Sequence, residues 1–91
     1  MKLRYRHSAI RHLTSIYTHI SADNPRAARE VIRRIRRAAK RLETFPYSGR
    51  KGEVEGTLEL VVRGLPYIVI YSVEEDFVNF LAVFHGRQSR S

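Results

Sequence analysis

His85 is the side chain of this sequence best placed to move a proton. It stands at the end of an apolar run, Phe77 to Phe84, and is followed at once by Gly86 and Arg87. The ordinary pKa of histidine lies near neutrality, so a histidine at such a position can act as general acid or base. Arg50 and Lys51 in a glycine-bearing segment, and Arg63 between two apolar runs, are cations that could hold phosphate. If the strands that carry them close into one sheet, Arg50, Lys51, Arg63, His85 and Arg87 converge on one concave side, a combination suited to cleaving RNA. Tyr47, Tyr67 and Tyr71 could stack on exposed bases there. Each group also has an ordinary role. The cations can be loop charges balanced by Glu53, Glu55 and Glu59, the histidine can be satisfied by backbone, and the tyrosines can be buried against helices.

A second constellation is cationic throughout. Arg26, Arg29, Arg33, Arg36 and Lys40 recur at three- and four-residue spacing, with Arg34, Arg37 and Arg41 alongside. Such a row is either the solvated face of an amphipathic helix or a docking surface. Like charges one turn apart repel mildly, so a dense stripe of one sign suggests an acidic partner over part of it. Arg29, Arg33, Arg36, Arg37 and Lys40 are therefore candidate partner-binding residues, with Arg50, Lys51 and Tyr67. His12 and His19 are seven apart with no carboxylate or third ligand near, so neither a metal nor a cofactor is expected.

The elements that must position these residues can be read from spacing and punctuation. Leu3-Arg4-Tyr5 alternates like a short edge strand, and Ser8 is a plausible cap for a helix with Leu13, Ile16, Tyr17 and Ile20 on one face. Asn24 and Pro25 occupy the N-cap and first position of a second helix. Ala28, Val31, Ile32, Ile35, Ala39 and Leu42 carry it to about Thr44, before Pro46. Residues 46–57, with three glycines, are irregular. Residues 58–62, 67–73 and 77–85 are rich in Val, Ile, Leu, Phe and Tyr, and the connectors Arg63-Gly64-Leu65-Pro66 and Glu74-Glu75-Asp76 have hairpin length. The expectation is an α+β domain of order β-α-α-β-β-β, a helical hairpin packed on a small antiparallel sheet.

Composition bounds the rest. Ninety-one residues form one domain, residues 1–91, able to bury roughly 60–65% of the unfolded surface. The chain has no cysteine, which rules out disulfides and thiolate sites and fits a reducing cytoplasm. No apolar stretch has the length of a signal or membrane-spanning segment. The net charge is +8, and 14 of the 17 basic residues are arginine. Such a balance favours bidentate contacts to carboxylate or phosphate.

Leu65-Pro66-Tyr67 entering the middle strand, His85-Gly86-Arg87 leaving the last, Asp23-Asn24-Pro25-Arg26-Ala27-Ala28 between the helices and Phe45-Pro46-Tyr47-Ser48-Gly49-Arg50 before the sheet stand in an order that resembles the RelE/ParE superfamily of bacterial toxins, most closely its ParE branch. The resemblance implies a toxin of a type II toxin-antitoxin system, cytoplasmic, held in a hetero-oligomer by a cognate antitoxin. ParE-like members poison DNA gyrase by protein contact and are not enzymes. RelE-like members cut ribosome-bound mRNA, and on that alternative Arg63, His85 and Arg87 are the catalytic candidates. Nuclease members typically carry Arg three residues before the middle-strand Tyr, where this chain has Ile68-Val69-Ile70-Tyr71. The missing arginine and the His-Gly-Arg ending both favour gyrase as target. A degenerate toxin that only binds its antitoxin is a further alternative.

Overall fold

The computed structural model describes residues 1–86, so Arg87 lies outside the described residues. The element order is β1 (Lys2–Tyr5), α1 (His7–Ser21), α2 (Pro25–Lys40), a 3-10 turn (Arg41–Glu43), β2 (Arg50–Lys51), β3 (Leu58–Val61), β4 (Tyr67–Glu74) and β5 (Phe77–His85). The helical hairpin, the sheet and the meander of the last three strands are all present. Asn24 caps α2 as its type suggests, accepting from the Ala27 N–H at 3.0 Å, with Pro25 behind it. Ser8 is not the cap of α1. Arg6 holds that position without a side-chain bond, and Ser8 lies inside the first turn.

The sheet runs β1-β5-β4-β3-β2. It is mixed, because β1 pairs parallel to β5 while every other pair is antiparallel. The helical hairpin is the crossover that parallel neighbours require, and a four-residue strand carries no sign of direction in its own periodicity. β2 adds a fifth strand inside the segment expected to be irregular, through only Arg50↔Glu59 and Lys51↔Leu58.

One face of the sheet is covered by the helices. Ala9 and Leu13 of α1, Ile35 and Ala39 of α2, and Leu42 meet Val69, Tyr71, Val78, Phe80 and Val83, with Leu58 and Leu60 at the margin. Val78, Phe80 and Val83 cannot all share a face on a strictly alternating strand. The pairing slips where Ile70 faces Ala82 but Tyr71 faces Phe80, leaving Leu81 as an extra residue. This bulge returns Val83 to the core.

Tyr71, fully buried, ties the sheet to the loop before it. Its hydroxyl donates to the Pro46 carbonyl at 2.8 Å and accepts from the Gly49 N–H at 3.0 Å. A Cβ on Gly49 would stand 2.6 Å from that hydroxyl and from the Glu59 carbonyl, so the close approach needs glycine. β1 is held from the other side, where the Leu3 N–H donates to a Glu43 carboxylate oxygen at 2.6 Å.

Candidate functional site

α2 buries only a narrow line of small and apolar residues, Ala28, Ile35 and Ala39, which leaves most of its circumference to arginine. Packing on the sheet then divides that charge between two flanks.

On the α1 side, Arg36 lies with its guanidinium 5.1 Å from the centre of the Tyr5 ring, a cation–π distance. Together with Tyr5, Ile10, Leu13, Thr14, Tyr17 and Ile32 it lines a groove of about 440 Å³. Ile10 is 50% exposed and Tyr17 37%, so the groove is floored by apolar side chains that meet water. Tyr17, expected on the buried face of α1, is a groove residue, whereas Leu13, one turn earlier on the same face, is buried.

On the β3 side, Arg34, Arg37 and Arg41 recur at helical spacing along a cleft of about 610 Å³ whose other wall includes Phe45, Ser48, Leu60, Val61 and Arg63. Arg34 reaches across it, donating to the Arg63 carbonyl at 2.7 Å. Gly64, at φ +78°, makes this reach possible, since a Cβ there would sit 2.6 Å from the guanidinium.

The remaining cations of the stripe are locally engaged or solvated. Arg33 pairs with Glu30 at 2.5 Å and Lys40 with Glu43 at 2.7 Å, both across three residues of helix surface. The Arg33 bond holds the Glu30 carboxyl below its usual pKa, and Lys40 with the Leu3 N–H does the same for Glu43. Arg29 is exposed. Pairs this exposed contribute little to stability.

The candidate catalytic side chains are only partly brought together. Arg63 and His85 share one end of the sheet: Arg63 sits in the β3–β4 turn, and the His85 ring stands edge-on to Tyr67, 5.6 Å between centres. Gly86 closes this end by donating its N–H to the Pro66 carbonyl. Arg50 lies two pairs further along, on the face away from the helices, with its guanidinium 3.2 Å from the buried Glu59 carboxylate. Lys51, the next residue of the strand, points to the opposite face and is exposed. Ile68 and Ile70 line the uncovered face of the middle strand beside Phe84 and Ala82. Tyr47 is 71% exposed and Tyr71 is core.

Spacing alone could have found more of the site. Arg34 stands one turn before Arg37 and Arg41 one turn after it, on one flank, and Ile10 and Tyr17 are seven residues apart. Phe45 and Val61 carry no such signal, because their shared cleft depends on how the loop meets β3.

Among the described residues no helix is long and apolar enough to cross a membrane, and no group of three or more His, Asp or Glu side chains is placed to hold a metal ion. The family model described as ParE toxin of type II toxin-antitoxin system, parDE, matches residues 3–90. A Sinorhizobium fredii protein named "Putative toxin Y4kP" is 39% identical over 87 residues, spanning 96% of this chain and 90% of its own. A solved structure titled as a chromosomal ParDE toxin-antitoxin system from P. aeruginosa superposes with a TM-score of 0.84 at 24% identity, over 93% of this chain and 95% of that one, and so shares the fold. With the match of the family model running almost end to end, and a toxin-named relative at this identity over nearly the full length, the chain belongs to the ParE family of type II toxins.

Proposed function

We propose that the protein inhibits DNA gyrase through protein–protein contact and is neutralised by a cognate antitoxin that covers the grooves flanking α2. The observation that carries this reading is the makeup of the middle strand. On the face away from the helices it has Ile68, which is buried, and Ile70, where phosphate chemistry would require a cation, and Arg50 on that face is matched by Glu59. Loss of a preorganised cation of this kind removes several kcal/mol, on the order of 3, of transition-state stabilisation. The two grooves support the antitoxin half of the proposal. Ile10, Tyr17, Phe45 and Val61 offer apolar surface beside Arg36, Arg37 and Arg41, which suits a segment mixing apolar and acidic residues.

Arg63 and His85 at one end of the sheet favour ribosome-bound mRNA as the alternative target. Inducing the toxin without its antitoxin in growing cells separates the two. Gyrase inhibition stops thymidine incorporation before methionine incorporation, and mRNA cleavage reverses that order.

A further inference from the structure

The cleft between α2 and β3 gathers cations that the acids of the chain leave alone. The three ion pairs among the described residues go to Arg33, Lys40 and Arg50, and none of these lines the cleft. Glu30 feels Arg37 at a distance, but its hydrogen bond goes to Arg33. Arg37 and Arg41 have no ion pair among the described residues, and no acidic side chain lines the cleft. Arg34 closes one end by bonding the Arg63 carbonyl, and Arg63 belongs to the facing wall. Like charges gathered around one space repel until an anion enters it.

An aromatic ring continues the row. The Phe45 N–H donates to the Arg41 carbonyl at 3.0 Å, so helical winding persists past α2 and Phe45 stands one turn beyond Arg41. Arg34, Arg37, Arg41 and Phe45 therefore follow one line, at spacings of three, four and four residues. Phe45 is 56% exposed and has no ring partner among the described residues. The volume of the cleft, about 610 Å³, falls within the range of small-molecule sites, roughly 300–1,000 Å³. A single carboxylate or phosphate would leave most of the row unmatched. A nucleic-acid duplex keeps its bases stacked inside, away from Phe45. A ligand that answers both ends carries several negative charges and a flat aromatic ring.

We propose that the toxin, when released from its antitoxin, binds a nucleoside triphosphate in this cleft. The base stacks on Phe45, and the phosphates lie along Arg41 and Arg37 toward Arg63, since guanidinium groups take phosphate oxygens in pairs. Ser48, whose N–H bonds the Phe45 carbonyl at 3.2 Å, brings a hydroxyl to the same end for the ribose. The site is a property of the toxin alone and goes beyond the gyrase reading.

The test is calorimetry on the full-length toxin freed from its antitoxin, with ATP as the probe. ADP should bind about 10-fold more weakly than ATP, the loss of one charge-assisted contact. Inorganic tripolyphosphate, which lacks the base, should also bind about 10-fold more weakly, and Phe45→Ala should bring ATP down to that level. Arg37→Gln with Arg41→Gln should weaken ATP about 100-fold. Arg29→Gln with Arg33→Gln, an equal loss of charge outside the cleft, should leave ATP within about 3-fold of wild type. All of these side chains are exposed, so circular dichroism should show every variant folded. Equal weakening by the two double variants would reduce the binding to diffuse charge and overturn the proposal. So would tripolyphosphate binding as tightly as ATP, a short single-stranded oligonucleotide of the same charge doing so, or no saturable binding below about 1 mM. Gyrase inhibition does not enter this measurement, so a toxin that ignores ATP but inhibits gyrase loses this site and retains its proposed function.

Discussion

The backbone N–H of Val83 donates to Nδ1 of His12 at 3.3 Å, so a helix side chain completes the edge of a strand. β1 ends opposite Phe80, and from there α1 takes over its work. The Arg6 N–H reaches the Phe80 carbonyl at 3.0 Å, and the Ser8 hydroxyl, one turn before His12, donates to the carbonyl of the bulged Leu81. The outer edge of β5 from Phe80 to Val83 thereby finds partners beyond the end of β1 without a sixth strand.

This contact needs a neutral imidazole. Burial, with Arg11 beside it, holds His12 below its ordinary pKa, so the folded chain binds that proton less readily than the unfolded chain. The contribution is complete above the unfolded pKa of about 6.5 and is lost as pH falls from there through the folded value. Urea unfolding of the wild type should therefore show declining stability below about pH 6.5. His12→Ala should be about 1 kcal/mol less stable near neutrality and lack that part of the decline. Identical pH profiles for the two proteins would contradict the assignment.

Tyr71→Phe removes the hydroxyl that bridges Pro46 and Gly49 and leaves both backbone groups without it. A loss of about 1–3 kcal/mol is expected, the cost of stranding partly buried polar groups. Because the bond tethers the loop, limited proteolysis should cut residues 46–57 faster in the variant at equal folded fraction. Gly49→Ala should be at least as disruptive, since its Cβ has no room beside Glu59 and Tyr71.

On the uncovered face of the sheet, Asn79 is 2% exposed and fully engaged. It accepts from Arg4 Nε at 2.8 Å and donates to Glu74 at 2.6 Å and to Ser72 at 3.4 Å. It links β1, β5 and β4 in one network. Asn79→Ala should cost about 2 kcal/mol in chemical denaturation. A double-mutant cycle with Arg4→Ala should show coupling between the two sites of at least about 0.5 kcal/mol, and strict additivity would argue against a network.

The interhelical groove should respond differently. Ile10 is half exposed and contributes little to the core, so Ile10→Glu should change the melting temperature by no more than about 2 °C. If the antitoxin lies there, the same change should weaken its binding at least about 10-fold by calorimetry, since it replaces an apolar contact by a carboxylate that must be desolvated and that repels an acidic segment. A variant that melts early, or one that binds as the wild type does, would remove the groove from the interface.

Local chemistry explains what could be read in the chain before its fold was known. Asn24-Pro25 is a helix start wherever it occurs in such a context, and three apolar runs separated by hairpin-length connectors leave little choice but a meander. The direction of β1 was not legible, because parallel pairing depends on where the helical hairpin returns the chain. Nor was the Leu81 bulge obvious, although Val78, Phe80 and Val83 break the alternation that an unbulged strand would keep. The arginine row illustrates the limit for function. Its residues were visible as a stripe, but only packing shows that Arg36 faces an apolar groove while Arg37 and Arg41 face the edge of β3.

The most direct measurement presents the toxin, freed from its antitoxin, to both candidate targets in parallel: gyrase with relaxed plasmid and ATP, and translating ribosomes with a defined mRNA. The account predicts lost supercoiling or accumulated cleaved DNA, reversal by the antitoxin, and intact mRNA. It also predicts that His85→Ala leaves gyrase inhibition within about 2-fold of wild type, since no proton transfer is involved. Cut mRNA with gyrase unaffected, and loss of that cutting in His85→Ala, would contradict it.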